Sequence, residues 1–188
     1  MSSDSAPGAQ PARRLNLREF ARGGRALDGS VALEALPRLA ASLQAQPREL
    51  RELQAQWSLQ GGVRRRADGG DEEWVRLRVG ARLPLGCQRC LQPVLQQVDD
   101  EVTLRLVDEE PRLDAAEIES DEEAYLAREP VDVLQLVEEQ LILALPLVPM
   151  HQECPQPLPG ADPRLPGADA AGSPASPFAV LGALRKSK

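Results

Sequence analysis

Six apolar side chains, Val75, Leu77, Val79, Ala81, Leu83 and Leu85, occupy every second position of one stretch. A period of two over that length builds a strand with one buried face; a helix would repeat its apolar positions every three to four residues. The run stops at Gly86-Cys87-Gln88-Arg89-Cys90, and a second begins beyond Pro93. There Val94, Val98, Val102, Leu104 and Leu106 share the opposite parity. The chain is thereby committed to an antiparallel sheet with a C-x-x-C turn at one end. Two cysteines so spaced bring both sulfurs to one side of a tight turn, which suits a metal ion, a redox disulfide or simply a compact turn.

The remaining segments add to this sheet. Leu15 to Phe20 alternates briefly, as a short strand or the start of a helical turn, and Gly23-Gly24 breaks it. From Val31 to Leu43 the residues Leu33, Leu36, Leu39, Ala40 and Leu43 recur at spacings that predict a short amphipathic helix with Pro37 in its first turn. After Pro47 the period becomes two again, with Leu53, Ala55, Trp57 and Leu59 on one face. Gly61-Gly62 and Asp68-Gly69-Gly70 bracket Arg64, Arg65 and Arg66 in what reads as a solvated loop. Gly80 marks a turn or bulge within the longest run. Asp132-Val133-Leu134-Gln135 has the form of a capping box, and the helix after it presents Leu134, Val137, Leu141 and Leu145 before Pro146 and Pro149 end it. The expected fold is α+β: an antiparallel meander of three or four strands, a short N-terminal helix, and a C-terminal helix packed on the sheet.

Around this single domain, residues 13–154, lie a disordered tail at 1–12 and a Pro/Gly/Ala-rich linker at 155–176. A terminal peptide, 177–188, carries Phe178, Val180, Leu181 and Leu184 and is a candidate partner-docking segment. Residues 99–140 hold 16 acidic and 3 basic side chains, and the stretch 108–129 reads as an acidic loop. Charge of that sign repels phosphate backbones and suits a basic protein partner, which argues against DNA and against broad nucleic-acid binding. RNA contact is confined to the candidate site Arg64, Arg65 and Arg66. Nothing approaches the length of a membrane span. Three cysteines without a secretory start point to a reducing, cytoplasmic setting.

The third cysteine, Cys154, follows the only histidine, His151, by three residues. With Cys87 and Cys90 they form two half-sites whose local spacings fit a structural zinc ion. The same four residues read equally as two small turn cysteines and a pair that merely follows a proline-broken helix. A thioredoxin-like use fits less well, because Pro93 and a strand follow the motif where a helix would be needed. No nucleophile–base pair or phosphate-cradling glycine loop is visible. Catalysis is therefore not expected, and metal-dependent RNA processing by the acidic residues stands as the alternative.

Three pieces in order resemble the bacterial YceD family, the large ribosomal RNA subunit accumulation proteins. They are Cys87-Gln88-Arg89-Cys90 with Pro93, the helix end from Glu138 to His151 with Cys154, and Pro177-Phe178-Ala179-Val180-Leu181. The likeness is strongest from about Leu53 to His151 and at the C-terminal peptide. It implies a role in the synthesis, processing or stability of large-subunit (23S) ribosomal RNA, with no established catalytic residues. Together with the acidic strip, it implies a ribosomal protein or pre-ribosomal particle as partner.

Overall fold

Residues 14–66, 69–110 and 122–155 are described by the computed structural model. Two compact units divide the chain, Met1–His151 and Gln152–Lys188, and every described helix and strand lies in the first. The expected tail at 1–12 and docking peptide at 177–188 lie outside the described residues, as does all of the linker from 156 to 176.

The long alternating runs form the two longest strands, β4 (Asp71–Gly86) and β5 (Pro93–Val107), paired antiparallel from Trp74↔Arg105 to Gly86↔Pro93. Sixteen residues of β4 extend about 50 Å at 3.3 Å per residue. All six apolar residues that set its parity are buried, and so are Val94, Val98, Val102, Leu104 and Leu106 of β5. On the other side of β4 lies β3 (Gln54–Arg65), followed by β2 (Ala26–Ala32), both antiparallel. These four strands are the meander.

A fifth strand corrects the count of three or four. β6 (Glu123–Leu126) pairs parallel with β5, setting Tyr125 beside Leu106, so the sheet is mixed, in the order β2-β3-β4-β5-β6. Part of the segment read as an acidic loop is therefore strand, while residues 111–121 lie outside the described residues. Four residues without a clear alternation carry no periodic signal, and a parallel edge strand is specified mainly by its neighbour. A separate two-stranded ribbon joins β1 (Arg14–Leu15) to β7 (Val131–Asp132).

The helix expected from Val31 to Leu43 is also corrected. Val31 ends β2, paired with Ala55; a 3-10 turn spans Leu33–Ala35, and helix α2 is only Pro37–Ala40. Pro37 cannot donate a backbone hydrogen bond and bars Leu36 from helical geometry, and Leu36 sits at φ −113°, ψ 79°. Leu33, Leu36 and Leu39 are nonetheless all buried. The spacing of three reported an inward-facing row of leucines, not one continuous helix. Another short helix, α3 (Pro47–Glu52), opens with a capping box between Gln46 and Glu49.

Helix α1 (Leu17–Arg22) begins at Asn16, whose side-chain oxygen accepts the backbone N–H groups of Arg18 and Glu19. It lies against β3 at Gly61, where a Cβ would come within 2.8 Å of the Ala21 backbone and the Phe20 ring. The Gly61-Gly62 pair is thus no loop boundary, and β3 runs through it to Arg65. Gly80 likewise interrupts nothing: it sits within β4 opposite Asp99. Gly61→Ala is expected to destabilise the fold by about 2 kcal/mol, because both neighbours are buried in close packing. Gly62→Ala meets only the half-exposed Trp74 ring and should cost less. Urea denaturation of the two variants checks the order.

Helix α4 (Val133–Leu143) crosses the same face of the sheet that α1 covers, above Leu77, Val102 and Leu104. Asp132 caps it by accepting the Leu134 N–H at 2.9 Å. Val137 and Leu141 are buried as expected, but Leu134 and Leu145 are half-buried, while Val133 and Glu138 complete the buried stripe. Glu138 reaches α2, where its Oε1 accepts the backbone N–H groups of Arg38 at 2.6 Å and Leu39 at 3.1 Å. No described helix is long and apolar enough to cross a membrane.

Candidate metal centre

The C-x-x-C turn is the hairpin between β4 and β5. Its neck is closed by the Cys87 N–H donating to Gln92 O at 3.0 Å and the Leu91 N–H donating to Cys87 O at 2.9 Å. Leu91 takes φ +60°, the one left-handed non-glycine residue among those described. A leucine there costs about 1 kcal/mol; the turn needs that twist to bring the chain back after Cys90.

The second half-site arrives on the segment after α4. Pro149 is buried, and its carbonyl accepts the Gln88 N–H at 2.8 Å. Gln96 Nε2 donates to Met150 O at 3.2 Å. These two bonds hold the segment against the hairpin, so that the His151 N–H points at Cys87 Sγ, 3.4 Å away. The His151 ring places Nδ1 3.4 Å from Cys90 Sγ. Cys154 follows three residues later, and one ligand atom from each of Cys87, Cys90, His151 and Cys154 lies within 4.8 Å of the other three. Among the described residues the two half-sites separated by 60 residues do meet, which the sequence left open.

Cys87 is fully buried, whereas Cys90, His151 and Cys154 are half-buried. Burial pushes the Cys87 thiol up, but backbone N–H groups of Cys90, His151 and Arg89 and the His151 side chain outweigh it and bring the thiol down to about 5. A thiolate is the ligating form of cysteine, and N–H groups aimed at the sulfur stabilise it. Three sulfurs and one imidazole nitrogen, partly enclosed and with no open carboxylate, form a donor set able to hold a soft or borderline metal ion.

The three candidate RNA-binding arginines are not presented together. Arg64 and Arg65 belong to β3 and so point to opposite faces, and Arg66 opens the turn into β4. Arg64 is gripped by two carboxylates: its Nε donates to Glu72 at 2.6 Å and its Nη1 to Glu122 at 2.6 Å. Those bonds raise its already high pKa, Glu122 contributing most, and Arg64 in turn holds the Glu122 carboxyl below its ordinary range. Phe178, Val180, Leu181 and Leu184 lie outside the described residues. Sequence reasoning missed the trans-cap from Glu138, which no spacing announces. It also missed Trp74, whose signal was legible: an aromatic on the polar parity of the β4 run.

The family model for the large ribosomal RNA subunit accumulation protein YceD matches residues 75–185, more than half of the 188-residue chain. This chain belongs to the YceD family. The matched span of this YceD protein begins at the first buried residue of the β4 run and contains all four residues of the Cys/His cluster. Strands β2 and β3 and helices α1 to α3 precede it. No curated protein and no solved structure matches the chain.

Proposed function

We propose that this protein is a non-enzymatic factor that supports large-subunit ribosomal RNA accumulation by binding a ribosomal protein or a pre-ribosomal particle in the cytoplasm. The observation that carries the reading is the family match, which spans the hairpin, α4 and the Cys/His cluster together. In this reading the cluster holds a structural zinc ion, which an S3N donor set favours and which needs no open coordination position. Bound zinc would tie the β4–β5 hairpin to the chain that leaves α4, giving the sheet a rigid end. Cys87, Cys90, His151 and Cys154 would be its ligands, with Pro149 and Gln96 positioning the second pair.

A scaffold role also accords with how the charged groups are used. The single histidine of the chain stands against Cys90. Two carboxylates of the acidic segment are bonded to arginines, Asp108 to Arg18 at 2.8 Å and Glu122 to Arg64. Engaged carboxylates are poor recruits for a hydrolytic metal pair. The acidic segment and the C-terminal peptide 177–188 remain the proposed contacts for a basic ribosomal protein.

Sedimentation with large-subunit precursor particles tests this. The protein is expected to travel with the particles at low salt and to leave them at high salt, while naked precursor RNA incubated with it and Mg²⁺ stays intact. Cleavage that stops on chelation and on alanine substitution in the acidic segment would overturn the reading in favour of an RNA-processing enzyme. Failure to travel with the particles would overturn it as well.

A further inference from the structure

Helices α1 and α4 cover one face of the five-stranded sheet. On the opposite face the side chains of β4 run Arg82, Gly80, Arg78, Arg76, Trp74, spaced about 6.7 Å apart at two residues per step. Their neighbours on β3 are neutral: Gln56, Ser58, Gln60 and Gly62 stand opposite Gly80, Arg78, Arg76 and Trp74. Carboxylates lie on the flanks, Asp28 on β2 and Asp99 and Glu101 on β5.

All three arginines are tethered in the same manner. Arg76 Nε donates to Thr103 Oγ1 at 3.4 Å and pairs with Glu101 Oε1 at 3.3 Å, Arg78 Nε is bonded to Glu101 Oε2, and Arg82 Nε donates to Gln97 Oε1 at 3.3 Å. Each is thus held by its inner nitrogen toward β5, and the terminal guanidinium nitrogens carry no bond among the described residues. Arg78 and Arg82 are exposed. A guanidinium fixed at one edge loses little further freedom when its other edge meets a phosphate, and it presents two parallel N–H groups to it. At the end of the row the Trp74 ring lies on Gly62, where a Cβ would fall 2.5 Å from the indole, and the Arg76 guanidinium stands 5.3 Å from the ring centre on the tryptophan. Planar guanidinium and indole surfaces are what unpaired bases stack on.

We infer that this β3–β4 face is a track for single-stranded RNA, with Arg78 and Arg82 contacting phosphates and the Arg76–Trp74 pair receiving a base. The inference rests on the ribosomal reading above and names the RNA contact within it. It moves that contact from Arg64–Arg66 to a row whose donor ends are unengaged. The flanking carboxylates on β5 limit the affinity and confine the strand to the β3–β4 side, so binding is modest and salt-sensitive.

The test uses the full chain and a fluorescently labelled 12-nucleotide single-stranded RNA, followed by anisotropy across a salt series. Wild-type protein is expected to bind, and the Arg78→Ala/Arg82→Ala double variant to bind at least tenfold more weakly with an unchanged melting midpoint. The salt slope should fall by about 1.4, at 0.7 per phosphate contact on a single strand. RNA should also quench tryptophan emission through Trp74, because Trp57 is only 3 % exposed, and Trp74→Phe should abolish that quenching. Equal RNA binding by wild type and double variant overturns the inference. So does an absence of RNA binding in a protein that still travels with precursor particles; the ribosomal reading then stands, and loss of particle binding in the double variant would mark the face as a protein contact. Failure of both RNA and particle binding overturns the inference and the ribosomal reading together.

Discussion

Cys87→Ser is expected to abolish zinc retention and to lower the melting midpoint on the order of 10 °C, equivalent to about 3 kcal/mol for a domain of this size. Structural zinc sites contribute roughly 10–16 kcal/mol of binding free energy in small metal-dependent domains. Here the sheet has a core of its own, so only part of that stabilisation governs whether the chain folds. In the proposed zinc-bound state the remainder would hold the segment from Pro149 to His151 against the hairpin, where the Gln88 N–H to Pro149 O backbone bond and the bond from the Gln96 side chain to Met150 O are otherwise its main tethers. Because Cys87 is buried and ringed by N–H donors, serine there also alters a packed site. Cys90→Ser, at a half-buried position, separates the two effects. Both variants should lose zinc by elemental analysis, and chelator should lower the wild-type midpoint while leaving both variants where they are. A wild-type protein that carries no zinc and ignores chelator would remove the staple from the account.

Glu138→Ala is expected to destabilise the fold by roughly 3 kcal/mol, with Glu138→Gln costing about 1 kcal/mol. The carboxylate is 6 % exposed and spans two elements a hundred residues apart in sequence. Leu36, at the cap of α2, offers no side-chain bond to that helix, so Glu138 is what satisfies the Arg38 and Leu39 N–H groups. Alanine would leave two donors without an acceptor beside Leu39, which is fully buried, and would open a void beneath α4. Glutamine keeps one acceptor oxygen in place and loses the charge assistance. Denaturant midpoints measure both changes at an unchanged m-value. An alanine variant within 0.5 kcal/mol of wild type would show that water reaches those N–H groups instead.

Legibility in the sequence tracked how local each signal was. The β4 and β5 runs repeat one parity over many residues, and a period of two has a single structural meaning when one face must be buried. Asp132 was legible as a cap for the same reason: cap, helix and the N–H donor all lie within a few residues. The row Leu33, Leu36, Leu39 misled because it had the right spacing for a helix while Pro37 forbade one. Gly61 and Gly62 were read as loop-formers, yet each is there to admit a neighbour from elsewhere, α1 in one case and the Trp74 ring in the other. β6 has no local signature and exists because β5 offered it an edge.

The same division runs through the candidate site. From sequence alone, Cys87 and Cys90 were bound to share a turn, His151 and Cys154 to stand within reach of each other, and the long strands to flank the first pair. Those outcomes depend on chain geometry over a span of three residues, which residue type and spacing control directly. Only the tertiary structure decided that His151 Nδ1 would stand 3.4 Å from Cys90 Sγ. That distance depends on α4 crossing the sheet at one angle, on Glu138 pinning it to α2, and on the Pro149 carbonyl finding the Gln88 N–H. Each of these is a long-range contact whose strength comes from burial shared among several elements, and no pattern within one segment encodes such a sum.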